Sequence, residues 1–217
     1  MPSLLLKQQY NTADDIPKSA TTAQKSIYGK VIKVVDGDTI RVRHLPFYPF
    51  LTKSSANYQG LLSENTISVR IYGVDAPEMG KFGNPTMFMA QESKEYTEQL
   101  VQDKTVKVKL LRKDQYGRIV GKVSVRRTIP FLPRKDVSLE LAKKGLATLY
   151  TGGGAVYDGN KEALQSAIET AKKRKQGVFS NGASNIMTPA QYKQQIKTNN
   201  HNNKNNNRQM VGAAVVY

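Results

Sequence analysis

The stretch VIKVVDGDTIRVR, residues 31–43, decides the fold class of this chain. Its first half is rich in β-branched residues and stops at the turn Asp36-Gly37-Asp38. After the turn, Ile40 and Val42 alternate with two arginines, so that one face is apolar and the other is charged. Two strand-like runs joined by Asp-Gly predict a β-hairpin.

Beyond this hairpin, alternation of apolar and polar residues predicts strands, and apolar residues at helical spacing predict helices. Further strands are predicted over residues 67–71, 106–110 and 118–125. Three helices are predicted, and they run from Asn84-Pro85 to about 102, from 137 to 144 between an Asp136 cap and Gly145, and from an Asn160 cap to Gly177. Several short antiparallel strands and a few helices indicate an α+β domain around a small β-barrel.

Composition divides the chain into three parts. Residues 1–26 are polar without a sustained period, and we predict a flexible N-terminal extension there. Residues 27–182 are predicted to be the folded domain, in which the segment 44–65 is an inserted loop. Residues 183–217 are rich in asparagine and contain no acidic residue, which predicts a disordered basic tail.

The net charge of +16 and the isoelectric point near 9.9 favour a polyanionic partner, either nucleic acid or an anionic surface. The chain has no cysteine, which excludes disulfides, thiolate zinc sites and cysteine nucleophiles. No apolar run has the length of a transmembrane helix, and no signal peptide or membrane anchor is seen. We therefore expect a soluble protein that is intracellular by default; the sequence leaves the oligomeric state open, with a monomer as the default.

Five charged residues that are far apart in sequence are candidates for a single site. Asp38 and Asp75 offer carboxylate oxygens, which hard cations such as calcium and magnesium prefer. Arg70 and Arg118 can clamp a phosphate, and Glu78 can act on a water. These residue types together suit metal-assisted phosphodiester hydrolysis. Each also has a simpler explanation, since Asp-Gly-Asp is common at turns and the others can be ordinary surface residues.

Three motifs join these residues in order along the chain. They are Asp36-Gly37-Asp38-Thr39, then VRIYGVDAPE at residues 69–78, then Asp114-Gln115-Tyr116-Gly117-Arg118. With Gly145-Leu146-Ala147 and the third predicted helix through Gly177-Val178-Phe179, the chain from about 28 to 180 resembles the staphylococcal nuclease family. That resemblance implies an OB-fold five-stranded β-barrel with three α-helices. It also implies calcium-dependent cleavage of DNA and RNA, with low sequence specificity and a preference for single-stranded or unpaired substrate.

The resemblance further implies roles for individual residues. Arg70 and Arg118 would hold the scissile phosphate, Glu78 would act on the attacking water, and the 5′ oxygen would leave to give 3′-phosphate ends. The other implied site residues are Asp38, Asp75 and a main-chain oxygen of Ala76 as calcium ligands, and Tyr116 and Tyr150 as substrate-binding residues.

Residues 73–78, 82–83, 112–116 and 134–137 are similar to a eukaryotic, notably fungal, branch of that family. Members of this branch often carry an N-terminal membrane anchor, so a mitochondrial or membrane-associated location is the alternative to the intracellular one. The chain departs from the bacterial pattern at the 44–65 insertion and at Gln115, where a lysine is frequent. A non-catalytic nucleic-acid-binding OB-fold module and a protein that acts on membrane surfaces through its basic face remain alternative functions.

Overall fold

A closed β-barrel is the centre of the computed structural model, which describes residues 8–46, 60–80, 83–127, 132–181, 187–196 and 198. The strands are β1 (Ser26–Asp36), β2 (Thr39–Leu45), β3 (Ile67–Ile71), β4 (Val74–Asp75), β5 (Thr105–Lys113), β6 (Ile119–Val125), β7 (Lys135–Asp136) and β8 (Thr148–Leu149). The barrel strands follow the order β3-β2-β1-β5-β6, and β6 pairs back onto β3. This confirms the predicted α+β class and the five-stranded OB-type barrel. Within the predicted insertion 44–65, residues 47–59 lie outside the described residues.

The hairpin around Asp36-Gly37-Asp38 forms as predicted. Strands β1 and β2 pair antiparallel, with Val31 opposite Val42 and Asp36 opposite Thr39. Val31, Val42 and their apolar neighbours on the same face are buried, because that face points into the barrel. The turn therefore leaves Asp38 at the end of the hairpin, at the start of β2.

The ring closes through a parallel pairing of β3 with β6, in which Arg70 lies opposite Val120. Gly121 of β6 also packs closely on β5, since an added Cβ there would lie 2.8 Å from the Val108 side chain. Arg118 directly precedes β6. Barrel closure thus brings Arg118 to the strand that carries Arg70, 48 positions earlier in the chain.

The helices are α1 (Lys18–Thr22), α2 (Ala90–Val101), α3 (Val137–Lys144), α4 (Lys161–Lys173) and α5 (residues 189–196), with a 3₁₀ turn at Gly177–Phe179. Helix α3 has the predicted ends: the Asp136 carboxylate accepts a hydrogen bond from the Ser138 N–H at 3.0 Å, and Gly145 ends the helix at φ +66°. Asn160 precedes α4 without capping it, because its side chain donates to the Asp158 carbonyl instead. None of the helices in the described ranges is long and apolar enough to cross a membrane.

The second helix starts later than its sequence signals indicate. Asn84-Pro85 suits a cap followed by the first helical position, yet α2 begins at Ala90. Two tertiary contacts hold the intervening residues as a loop: the Met87 N–H donates to the Glu78 carbonyl at 3.1 Å, and the Tyr192 hydroxyl donates to the Pro85 carbonyl. Local propensity is overridden because these hydrogen bonds connect the loop to distant parts of the chain.

The described part of the N-terminal segment differs from the predicted flexible extension. Ala13, Ile16 and Ala20 are buried against the barrel, and α1 contacts β5. The Tyr10 ring stacks on His44 with 4.9 Å between centroids. The apolar residues are few, so their periodicity is weak in the sequence, but each is buried by the barrel.

The described part of the predicted disordered tail is also ordered. Helix α5 begins with a capping box, in which the Gln191 N–H donates to the Thr188 hydroxyl at 3.2 Å and the Thr188 N–H donates to the Gln191 side-chain oxygen at 2.8 Å. Tyr192 is 7% exposed and anchors the helix through the Pro85 carbonyl. The sequence signal was Thr188-Pro189-Ala190-Gln191, which has a threonine cap, a proline at the first helical position and glutamine three residues after the cap. Two helices, α1 and α5, are therefore added to the three that were predicted.

Candidate active site

Asp38, Arg70 and Asp75 form a buried ionic group at the end of the barrel. The Arg70 Nη2 lies 3.4 Å from an Asp38 carboxylate oxygen and also donates a short hydrogen bond to Asp75. Asp38 comes from the hairpin turn, Arg70 from β3, and Asp75 from β4, which follows β3 after a tight turn. All three residues are less than 9% exposed. One guanidinium nitrogen therefore lies between two carboxylates that are 37 positions apart in the chain.

The carboxylates are fixed by further hydrogen bonds. Asp38 accepts from the Thr39 hydroxyl at 2.9 Å with one oxygen and from the Ala76 N–H at 3.2 Å with the other. Burial raises the pKa of the Asp75 carboxyl, and the charge of Asp38 raises it further, against the lowering effect of Arg70. Burial acts to lower the pKa of Arg70, but the two carboxylates outweigh it and the pKa is raised. In this group one guanidinium faces two carboxylates.

Glu78 lies on the loop after β4 and is held from two sides. Its backbone N–H donates to the Met87 sulfur at 3.2 Å, while its carbonyl accepts from the Met87 N–H. Its carboxylate pairs with the Lys193 ammonium of α5 at 2.6 Å. The Glu78 side chain is 20% exposed and that of Lys193 is 50% exposed. The contact is open to water, so we expect it to exchange readily.

Arg118 is positioned by Asp114 at the other side of the turn between β5 and β6. Its Nε donates to one Asp114 oxygen at 2.8 Å, and its N–H donates to the other at 2.9 Å. The Tyr116 ring lies 5.3 Å from the guanidinium carbon of Arg118. Tyr116 itself is 73% exposed. Burial acts to raise the pKa of Asp114, but these hydrogen bonds lower it below its ordinary value, so the carboxylate stays ionised and holds the arginine.

A cavity of about 440 Å³, here called the catalytic cleft, collects most of these side chains. Its lining includes Arg70, Asp75, Arg118, Tyr116, Tyr150 and, from α5, Lys193. The Tyr150 ring stacks on Arg70 with 4.8 Å to the guanidinium carbon. The remaining predicted site residues, Asp38, Ala76 and Glu78, do not line this cavity. Asp38 pairs with Arg70 and accepts from the Ala76 N–H, and Glu78 pairs with the lining residue Lys193.

The donor set beside Arg70 fits a hard cation of the calcium type. Two carboxylates share one nitrogen atom as their common neighbour, so their oxygens converge. In the ranges that the structure describes, no group of three or more histidine, aspartate, glutamate or cysteine side chains is arranged to hold a metal. A cation bound here would therefore complete its shell with main-chain oxygens and waters, as calcium and magnesium commonly do.

Comparison with known proteins agrees with this geometry. Residues 68–181, which contain Arg70, Asp75, Glu78 and Arg118, match the family of staphylococcal nuclease homologues. Endonuclease Htp3 of Saprolegnia parasitica is 38% identical over 86% of this chain and 84% of its own length. A protein named probable endonuclease LCL3 is 36% identical in Komagataella phaffii, over 87% of this chain and 83% of that protein. The chain belongs to the staphylococcal nuclease family.

As a member of the staphylococcal nuclease family, the chain is a hydrolase of the nuclease class. The eukaryotic, notably fungal, resemblance is confirmed as well, since another probable endonuclease LCL3, from Verticillium alfalfae, is 37% identical over 81% of this chain and 62% of that protein. Sequence reasoning missed two cations of the cleft, Arg112 and Lys193. Arg112 sits against the glycine loop, where a Cβ at Gly154 would overlap its guanidinium. The glycines at 152–154 were the available signal for this close packing.

Proposed function

We propose that this chain is a calcium-dependent nuclease that hydrolyses phosphodiester bonds of DNA and RNA with low sequence specificity. The observation that supports the proposal is the Asp38–Arg70–Asp75 group next to a cleft that is also lined by Arg118. Two buried acids that face one guanidinium favour a divalent cation, and two guanidinium groups beside them favour a phosphate. The nuclease names of the relatives agree with this assignment.

In this proposal the cation is held by Asp38, Asp75 and a main-chain oxygen of Ala76. When bound, it would supply positive charge to a non-bridging phosphoryl oxygen. Arg70 lies on β3 directly beside these two carboxylates, which places its guanidinium next to the cation and the phosphate in this proposal. Arg118 is oriented by Asp114. Both arginines stabilise the charge that develops on the phosphoryl oxygens as a water adds.

Glu78 carries the proton-transfer role. Its carboxylate accepts a proton from the attacking water while a new P–O bond forms, and the P–O5′ bond breaks on the opposite side of phosphorus. The 5′ oxygen then takes a proton from solvent, which leaves a 3′-phosphate end. Lys193 must release the Glu78 carboxylate for this step, and its half-exposed ion pair is of the kind that contributes only about 0–1 kcal/mol. Tyr116 and Tyr150 border the nucleotide that lies in the cleft.

The test is cleavage of single-stranded DNA and of RNA in calcium and in chelator. We expect cleavage in calcium only, and a loss of roughly 10²–10⁴-fold in Glu78→Gln. Glu162→Gln is the matched control, since Glu162 lies in the first turn of α4, outside the cleft. Equal cleavage in chelator, or full activity in Glu78→Gln, contradicts the proposal. Binding of nucleic acid without cleavage in calcium would support the alternative of a non-catalytic OB-fold module.

A further inference from the structure

A second cavity, also of about 440 Å³, adjoins the catalytic cleft at Asp75. We call it the outer cavity. It lies between the loop 84–88 and helix α5, with Val178 also in its wall. Both walls come from the parts of the chain in which the structure differed from the sequence prediction. The Tyr192 hydroxyl, which donates to Pro85, connects the two walls.

The outer cavity exposes apolar surface next to the proposed phosphate site. Among the large hydrophobic side chains that the structure describes, the exposed ones are Leu61, Phe88, Tyr116, Leu132 and Met187. Phe88 is 51% exposed and Met187 is 45% exposed, and both line the outer cavity. Tyr116 lines the catalytic cleft. Exposed apolar side chains thus line each of the two cavities that share Asp75, and such surface commonly marks a binding site.

We propose that the outer cavity binds a nucleobase of the substrate, the one on the opposite side of the scissile phosphate from Tyr116. This inference rests on the proposed nuclease function. A strand whose phosphate lies at Arg70 and Asp75 has a nucleoside on each side of that phosphate. One nucleoside lies in the cleft with Tyr116, and the other lies against Phe88 and Met187, because Asp75 is a wall of both cavities.

The chemistry of the outer cavity suits a base. Phe88 offers an aromatic ring on which any of the bases can stack, which fits low sequence preference. Met187 is flexible and adapts to purine or pyrimidine rings. The cavity also contains the amide side chains of Asn181 and Gln195, which can donate to and accept from the polar edge of a base.

The experiment uses the dinucleotide TpT and its two abasic forms, in which either the first or the second base is removed. Phe88→Ala and Met187→Ala are compared with Tyr116→Ala, and Leu61→Ala serves as the control because Leu61 is 65% exposed and lines neither cavity. Both kcat/KM and the binding constant in calcium are measured for each pair. We expect Phe88→Ala to weaken the binding of TpT by about tenfold, which is the loss typical of one base–aromatic stack.

The informative result is a crossed pattern. With one abasic form, Phe88→Ala should have no further effect while Tyr116→Ala still weakens binding. With the other abasic form, Tyr116→Ala should have no further effect while Phe88→Ala still weakens binding. If both variants respond to the same abasic form, or if Phe88→Ala is indifferent to both, the outer cavity does not bind a base. Absence of cleavage by the unmodified protein would refute the nuclease proposal alone, since the binding constants still decide the base site.

Discussion

Substitution of Arg70 by glutamine tests the ionic group on which the site is built. In the folded protein, Asp38 and Asp75 are both less than 9% exposed, and Arg70 pairs with both of them. Removing the arginine leaves two buried carboxylates facing each other. Loss of one partner from a buried ion pair costs about 3–5 kcal/mol, because an uncompensated charge remains in the interior. We expect Arg70→Gln to lose a free energy of unfolding in that range at neutral pH in chelator.

The assay is urea unfolding followed by circular dichroism, in chelator and in calcium. If calcium binds between the two carboxylates, it should stabilise Arg70→Gln more than it stabilises the unmodified protein, since it replaces the missing positive charge. Arg41→Gln is the control: Arg41 lies on β2 opposite Lys33, and no acidic side chain forms a salt bridge with it in the described part of the chain. We expect the control to change stability by less than about 0.5 kcal/mol. An Arg70→Gln variant as stable as the control in chelator would refute the view that the two acids depend on Arg70.

Three other substitutions probe the surroundings of the site. Lys193→Ala should raise kcat/KM on single-stranded DNA by up to about fivefold, because Glu78 no longer has to leave an ion pair worth about 0–1 kcal/mol. A fall in kcat/KM, with the slope of log kcat/KM against log salt reduced by about 1, would instead mean that Lys193 contacts the phosphate. Asp158→Asn removes contacts with two lysine ammonium groups at 2.5 and 3.3 Å, and should cost about 1 kcal/mol. Burial acts to raise the pKa of Asp158, but these lysines lower it below its ordinary value. The loss in free energy of unfolding caused by Asp158→Asn should therefore be present at neutral pH and vanish as the pH falls below about 4. A loss that persists in acid contradicts this. Gly145→Ala should lower the melting temperature and reduce the free energy of unfolding by roughly 1–3 kcal/mol, because Gly145 has φ +66° and an added Cβ would overlap a backbone carbonyl. Gly153→Ala is the control: no atom lies within 4 Å of its added Cβ, so the melting temperature should change little.

The barrel was predictable because its signals are local and repeated. The hairpin at Asp36-Gly37-Asp38 and the alternation in β3, β5 and β6 are visible within short windows of sequence. The helix α3 was equally clear, since its cap Asp136 and its terminal Gly145 both have the expected chemistry. The pairing of β3 with β6 could not be predicted in this way, because it joins residues that are about 50 positions apart in the sequence.

The errors at residues 84–88 and in the C-terminal segment share a physical cause, in addition to the overlooked capping box at Thr188 and Gln191. Each of these segments is held by the other: Tyr192 donates to Pro85, and Lys193 pairs with Glu78, which is bonded in turn to Met87. A short stretch of sequence around residues 84–88, taken alone, indicates the start of a helix. The C-terminal segment, taken alone, indicates a polar tail. The pairing spans more than 100 positions, so neither local propensity nor composition reports it.

The candidate site residues followed from motifs, but their arrangement did not. Asp38, Arg70 and Arg118 lie on barrel strands or on the turns next to them, and Asp75 lies on β4, which follows β3 and pairs with β8, so the fold fixes their positions. The role of each remains a prediction from the family resemblance. Lys193 could not be predicted from the motifs because the family resemblance ends near residue 180, before α5 begins.

This division of the site between rigid and adjustable parts has a consequence for mechanism. The arginines that would hold the phosphate lie on β3 and directly before β6, each beside a carboxylate, where a displacement would disturb the β3–β6 pairing. Glu78 lies on a loop whose position depends on Met87 and on a half-exposed lysine of α5. The proposed phosphate clamp is therefore fixed before substrate arrives, while the group proposed to orient the water can still move. Such an arrangement tolerates substrates that differ in base and sugar, because only the phosphate must occupy one fixed position, and it accounts physically for the low sequence specificity that we propose.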